Sequence, residues 1–221
     1  VEKENLLKVL TLAEKEMERS AKENSLDFRP HLFLGKLYSA SYQASQDPEK
    51  LKLSLYYLNK AITLSPNNQQ GYWYLGEVKF SENKTEEAVA LFQKAADLEP
   101  DFLKAQWYLA IAYKFSNNYQ MAKEKLLELN EMGYNWDSNS YELNQAISIF
   151  QYFNDDTALL PLYQKAVQLQ PDDIQIRFAL ATTYANLNRF DEAREVAKQI
   201  KEMKPEAAAD VDKFIKSFPQ Q

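Results

Sequence analysis

Apolar and small residues along the chain fall into short sets at helical spacing. In GYWYLGEVKFSENKTEEAVALFQKAADLEP, residues 71–100, they stand at Tyr72, Leu75 and Gly76 and then at Ala88, Phe92 and Ala95. Each set marks one buried face of a helix, so the stretch predicts two short helices with a tight turn between them. The pattern repeats with a fixed period. Pro66 to Pro100 is a step of 34 residues, and so is Pro171 to Pro205. A period of this size is the signature of stacked helical units that bury a continuous core only by packing on one another.

The same reading places the rest of the chain. Residues 2–23 form one long helix, in which Ala13 and Met17 fall where the second helix of a hairpin would place them. It is expected to be half a hairpin whose first helix is missing or merged. Its apolar side, Leu6, Leu7, Leu10, Ala13 and Met17, is expected to pack on the next hairpin. The first full hairpin, about 28–66, has Leu34, Gly35, Tyr38, Leu58 and Ala61 in register but seven residues too many, around 41–52. Seven residues are close to two helical turns, and Asp47-Pro48 suits a helix start, Asp as cap and Pro at the first helical position. Both helices of this hairpin are therefore expected to be about a turn longer.

Further hairpins follow at about 69–102, 103–136, 140–173 and 174–205. Gly133 suits a helix C-terminus that needs positive φ, and Trp136 is expected to plug the seam between two hairpins. Pro161 lies within a predicted helix and removes a backbone donor, so a late start or a kink is expected near 157–161. A closing helix over 206–218 puts Val211, Phe214, Ile215 and Phe218 on one face, as the cap an array needs at its end.

The register Tyr72, Leu75, Gly76, Ala88, Phe92, Ala95, Pro100 resembles the tetratricopeptide repeat. That resemblance implies one all-α domain over 1–221, a right-handed superhelical solenoid of about five hairpins with a helix at the N-terminal end and a capping helix at the other. It also implies a concave groove lined by one stripe of each hairpin's first helix. Here the stripe carries Arg29, Leu32 and Lys36; Trp73, Glu77 and Phe80; Lys104, Trp107, Ile111, Lys114 and Phe115; Tyr141, Gln151 and Tyr152; and Gln175, Phe178 and Thr182. If half of each aromatic is covered, six would still expose roughly 500 Å², at the top of the range for the largest apolar patch on a monomer. Trp73, Glu77 and Trp107 stand where the family's chaperone-tail binders hold a terminal carboxylate with Lys, Asn and Arg, which speaks against that mode.

Composition narrows the chemistry. The net charge is -6, with no basic run, which argues against nucleic acid as a partner. There is no Cys and a single His, His31, so a transition-metal site is not expected. The four Gly are scattered, no phosphate-binding loop or nucleophile motif occurs, and no cofactor or catalytic residue is assigned. The carboxylate pairs Glu86-Glu87, Asp155-Asp156 and Asp172-Asp173 are read as helix-start charges that complement the dipole. No apolar run is long enough to span a bilayer. The chain begins with Val, as expected of a domain excised from something longer.

The sequence thus points to a non-catalytic scaffold that takes a protein or peptide with apolar and acidic residues, because Arg29, Lys36, Lys104 and Lys114 outnumber Glu77 in the groove. Two alternatives stand beside it. Phe28-Arg29-Pro30, Asp47-Pro48, Ser65-Pro66-Asn67, Gly133-Tyr134-Asn135-Trp136 and the last hairpin resemble the C-terminal repeat domain of bacterial O-antigen ligase-like or polymerase-like membrane proteins, which implies a soluble accessory domain tethered to a bacterial membrane. The other is self-assembly of homo-oligomers through the groove or an uncapped end.

Overall fold

A computed structural model describes residues 2–135 and 138–219. The seam-plugging expectation for Trp136 therefore lies outside the described residues. The chain is an all-α helical-repeat protein that falls into two compact units, the first ending at Met132 and the second beginning at Gly133.

The first unit holds α1 (Glu2–Glu23), α2 (Phe28–Ser45), α3 (Pro48–Leu64), α4 (Gln69–Ser81), α5 (Thr85–Leu98), α6 (Leu103–Phe115) and α7 (Tyr119–Glu131). Consecutive helices pack as hairpins, α2 on α3, α4 on α5 and α6 on α7, and each hairpin packs on the next. The extra residues of the first hairpin lengthen both of its helices. α2 has 18 residues and α3 has 17, against 13 in α4 and 14 in α5. Asp47 caps α3 by accepting the Glu49 amide at 3.0 Å, with Pro48 as the first helical residue.

Close approach within hairpins depends on glycine. A Cβ on Gly76 would stand 2.7 Å from a Phe92 ring carbon, and one on Gly35 would stand 2.5 Å from Leu58 Cγ. The space is already filled by the large residue of the second helix. Leu32, Leu58, Ala61, Leu75 and Val78 join α2, α3 and α4 in one buried cluster, and Ala88, Phe92, Ala96, Leu109 and Ala112 join α5 to α6.

The turns inside four hairpins share one device that the apolar pattern did not reveal. Asn83, Asn117, Asn154 and Asn188 adopt φ of 59°, 59°, 50° and 59°. Asn tolerates this left-handed region because its short amide bonds locally, and its recurrence at nearly the repeat period is a sequence signal of its own. Gly133 has φ 77°, the positive value expected of it.

The seat of α1 differs from expectation. Leu6 is 50% exposed, and Leu7, Leu10, Ala13 and Met17 are only half-buried. The best-buried positions of α1 are Ala21 and the charged Glu14. Glu14 accepts hydrogen bonds from Ser41 Oγ of α2 at 2.5 Å and Lys50 Nζ of α3 at 2.6 Å. Glu18 accepts from the Tyr38 hydroxyl. Burial and that carboxylate push the Tyr38 phenol above its ordinary pKa. The inner face of α1 is thus held by paired polar groups as much as by apolar packing.

The second unit holds α8 (Ser140–Tyr152), α9 (Asp156–Leu169), α10 (Ile174–Asn186), α11 (Phe190–Met203), a 3-10 turn (Pro205–Ala207) and α12 (Ala208–Lys216). α9 makes no late start. It begins at Asp156, where Asp155 Oδ1 accepts the Ala158 amide at 3.1 Å, and it runs through Pro161. The strong cap sets the start, and the missing donor of Pro161 falls inside the helix. Asp173 likewise caps α10 by accepting the Gln175 and Ile176 amides at 2.8 and 3.1 Å.

α12 packs on α11. Val211 of α12 and Phe218, two residues beyond its end, are the buried anchors, whereas Phe214 and Ile215 are half-buried. The Phe218 ring lies 5.4 Å from that of Phe190, and the Arg194 guanidinium lies 5.6 Å from its centroid. Among the described residues, no helix is long and apolar enough to cross a membrane.

Candidate functional site

In the first unit, α2, α4 and α6 bound an open cavity of about 430 Å³, lined by Lys36, Gln43, Tyr74, Glu77, Phe80 and Tyr108, with Ser39, Ala40, Leu58 and Ser81. Lys36, Glu77 and Phe80 come together here as the stripe predicted. The remaining walls were not anticipated. Tyr74 and Tyr108 each stand one position beyond the predicted tryptophan, directly before the buried leucine. An aromatic before that leucine recurs at Phe33-Leu34, Tyr74-Leu75 and Tyr108-Leu109, a signal that could have found them.

Trp107 and Ile111 require correction. They are 1% and 3% exposed, so they belong to the core and offer no groove surface. Leu32, from the same stripe, is buried as well. Trp73 is half-buried. It stacks on Tyr74 at 4.8 Å, meets Phe102 edge-on at 5.1 Å, and packs against the Ala88–Phe92 cluster. For Leu32 and Trp73 the next hairpin is the cause: Leu32 packs with Leu75 and Val78 of α4, and Trp73 meets Phe102 and Tyr108.

The other predicted residues are dispersed. Arg29 is engaged at the head of α2, where its Nε and Nη2 donate to the capping carboxylate Asp27 at 3.0 and 2.6 Å. Phe115 is exposed and meets Phe80 edge-on at 5.1 Å, extending the aromatic wall. Lys114 Nζ lies 5.1 Å from the Phe115 centroid, and burial lowers its pKa. In the second unit, Gln151 and Thr182 line a separate hollow of about 370 Å³ with Asp156, Tyr163 and Asn186. Gln151 Nε2 donates there to the Tyr163 hydroxyl at 2.6 Å. Tyr152 is exposed beside Phe153, and neither it nor Phe178 lines that hollow. Tyr141 is exposed and Gln175 stands at the head of α10. His31 is buried, its Nε2–H donating to the Ser25 carbonyl at 3.2 Å and its ring stacked on Tyr57 at 5.9 Å.

The electrostatics of the first cavity centre on Glu77. Burial raises its pKa, while the Tyr108 hydroxyl bonded to it and the Lys36 and Lys104 ammonium groups act in the opposite direction. Lys36 Nζ lies 5.1 Å from the Tyr74 centroid and Lys104 Nζ 5.5 Å from that of Tyr108. Two lysines, each over a tyrosine ring, thus flank one carboxylate. The arrangement offers aromatic area for an apolar anchor with charged side chains beside it. Among the described residues, no group of three or more acidic or histidine side chains could hold a metal ion.

Hairpins of this length, with a small residue at the crossing and a 34-residue period, define a class of stacked helical-repeat proteins. Residues 70–102 and 156–214 match family models described as tetratricopeptide repeat, so the chain carries tetratricopeptide repeats in these stretches. Among solved structures it is similar to YrrB, described as a TPR protein with an unusual peptide-binding site, at 17% identity and a TM-score of 0.67, covering 86% of this chain and 92% of that one. It is also similar to pilF of Pseudomonas aeruginosa, at 14% identity and a TM-score of 0.67, covering 89% and 85%.

Among curated proteins, the peroxisomal targeting signal receptor of Komagataella phaffii is 24% identical over 160 residues, 67% of this chain and 27% of the receptor. That of Kluyveromyces lactis is 34% identical over 67 residues, 30% of this chain and 12% of the receptor. The chain therefore spans about a quarter or less of the length of these relatives. The resemblance to O-antigen ligase-like proteins has no counterpart among the relatives named here.

Proposed function

We propose that this chain is a non-catalytic interaction module whose first unit binds an extended or helical peptide carrying aromatic or aliphatic anchors and acidic residues. The observation that carries this reading is the open cavity in which Tyr74, Phe80 and Tyr108 stand beside Lys36 and Glu77. Apolar area supplies affinity, and the Lys36 ammonium at the cavity selects partner and orientation. The repeat fold is in general an interaction module. The description of YrrB, with its peptide-binding site, and the name of the targeting-signal receptors agree with a peptide as ligand.

The test is a peptide-library selection against the wild type, followed by binding measurements on variants. Tyr74→Ala and Lys36→Glu should each weaken selected peptides by more than ~1 kcal/mol, because interface energy concentrates at buried aromatics and their charged neighbours. Selection of basic peptides, or undiminished binding by both variants, would reject the proposal.

A further inference from the structure

In the second unit, α8, α9 and α10 wall the hollow of about 370 Å³. Its polar groups present mainly acceptors. Gln151 Nε2 donates to the Tyr163 hydroxyl at 2.6 Å, and Asn186 Nδ2 donates to Asp156 Oδ1 at 3.2 Å. Each amide thus uses an N–H within the protein. The carbonyl oxygens Gln151 Oε1 and Asn186 Oδ1 have no partner among the described residues, and neither does Asp156 Oδ2.

Thr183 adds a buried group to this set. It lines the hollow and is 3% exposed, yet its hydroxyl has no hydrogen-bond partner among the described residues. Its oxygen is not sealed off by neighbouring atoms, so it opens on the hollow. A buried hydroxyl left unpaired is costly, and buried polar groups are as a rule satisfied. A ligand in the hollow would satisfy this one.

Charge narrows the ligand. No Lys, Arg or His is among the described lining residues, and no cation pairs with Asp156 among the described residues. Burial pushes the Tyr163 phenol up in pKa, the Gln151 hydrogen bond opposes this, and the Asp156 charge adds to it. The carboxylate therefore acts on the interior of the hollow. Leu159, which is 4% exposed, and Ala179 supply an apolar wall. Unpaired acceptors around one negative charge fit a group that only donates. Lysine ammonium and arginine guanidinium are such groups, and each is carried on a methylene stem that packs on apolar surface.

We infer that this hollow takes the side-chain cation of a lysine or arginine presented by a peptide or protein partner. The cation pairs with Asp156 and donates to Gln151 Oε1, Asn186 Oδ1 and Thr183 Oγ1, while its stem lies against Leu159 and Ala179. The site lies within the second unit and does not rest on the binding proposed for the first.

The probes are N-acetyl-lysine amide and N-acetyl-arginine amide, with N-acetyl-norleucine amide and N-acetyl-citrulline amide as uncharged counterparts. Each is titrated into the isotope-labelled full chain while the side-chain amide signals of Gln151 and Asn186 are followed by NMR. At least one cationic probe should shift both signals saturably, with a dissociation constant of roughly millimolar order, and bind at least about tenfold more tightly than its counterpart. Held this weakly, one side chain adds to a partner bound elsewhere and does not by itself enrich basic peptides in a selection.

Asp156→Asn leaves the Asp155 cap in place and should weaken the cationic probe at least about fivefold. Thr183→Val keeps the shape without the hydroxyl and should weaken it at least about threefold. Gln151→Glu adds a carboxylate at an exposed position and should tighten it at least about threefold, read on the Asn186 signal. Absence of saturable shifts, equal binding of the uncharged counterparts, unchanged binding by Asp156→Asn or Thr183→Val, or no gain in Gln151→Glu would overturn the inference. So would equal shifts with calcium chloride, because the hollow would then belong to a metal ion. These signals belong to the second unit, so such outcomes leave the peptide binding proposed for the first untouched.

Discussion

Glu77 is a carboxylate pulled in two directions, and its balance can be measured. Burial raises its pKa and outweighs Tyr108, Lys36 and Lys104, which favour the charged form. A carboxyl whose pKa is higher in the folded than in the unfolded chain stabilises the fold fully only below its unfolded pKa. That contribution is lost as pH rises through the folded value. Glu77→Gln should therefore melt like the wild type in acid and at a higher temperature at neutral pH, with the gap opening above the ordinary glutamate range. Thermal melts of both proteins across pH check this, and a variant less stable at neutral pH would mean that the lysine pairing dominates. Packing gives two further expectations at this scale. Gly76→Leu has no space beside Phe92 and should cost at least ~1–3 kcal/mol. Trp107→Ala should cost about 3–5 kcal/mol by opening a core cavity, which chemical denaturation would read as lost global stability and not as lost peptide affinity.

Among elements, the two terminal helices differ in how they are held. α12 is anchored by Val211 and Phe218, with Lys201 bridging to Asp212 at 2.8 Å across to α11. Truncation after Glu206 would uncover the side of α11 on which α12 packs and remove Phe218 from the Phe190 ring. The truncated chain should be less soluble and melt at a lower temperature. Calorimetry would decide it, and an unchanged melt would show that α12 does not cap the unit. α1, by contrast, is fixed by Glu14, Ser41, Lys50, Glu18 and Tyr38. Its apolar residues read in sequence as an inward stripe, yet two carboxylates face inward and Leu6 faces solvent. Helical periodicity locates a face. It does not say which of two adjacent faces a neighbouring helix covers when both carry apolar residues.

For the molecule as a whole, a chain of net charge -6 holds a cavity with two lysines around one glutamate. Long-range repulsion and local attraction would then both act on an acidic peptide of the kind proposed, and salt screens both over about 8–10 Å near physiological strength. Contacts made inside the partly desolvated cavity are screened least, so added salt should weaken an acidic peptide only modestly at equilibrium. A titration series in salt reads this, and a steep loss would place the contacts on the open surface.

The sequence by itself determined the helices, their pairing into hairpins and the glycines at the crossings. These rest on spacing along the chain, and spacing is local: a period of 34, a Leu-Gly pair and an Asp-Pro start are each legible without knowing what packs on them. Lys36, Glu77 and Phe80 were legible in the same way, as one stripe of successive helices. Only the tertiary structure decided that Trp107 and Ile111 are core and that Tyr74 and Tyr108 are the cavity walls. Adjacent positions on one helix differ by about 100° of rotation, and which of them is covered depends on how neighbouring hairpins lean against one another. That lean comes from the sum of contacts between hairpins, which no single stretch of sequence contains.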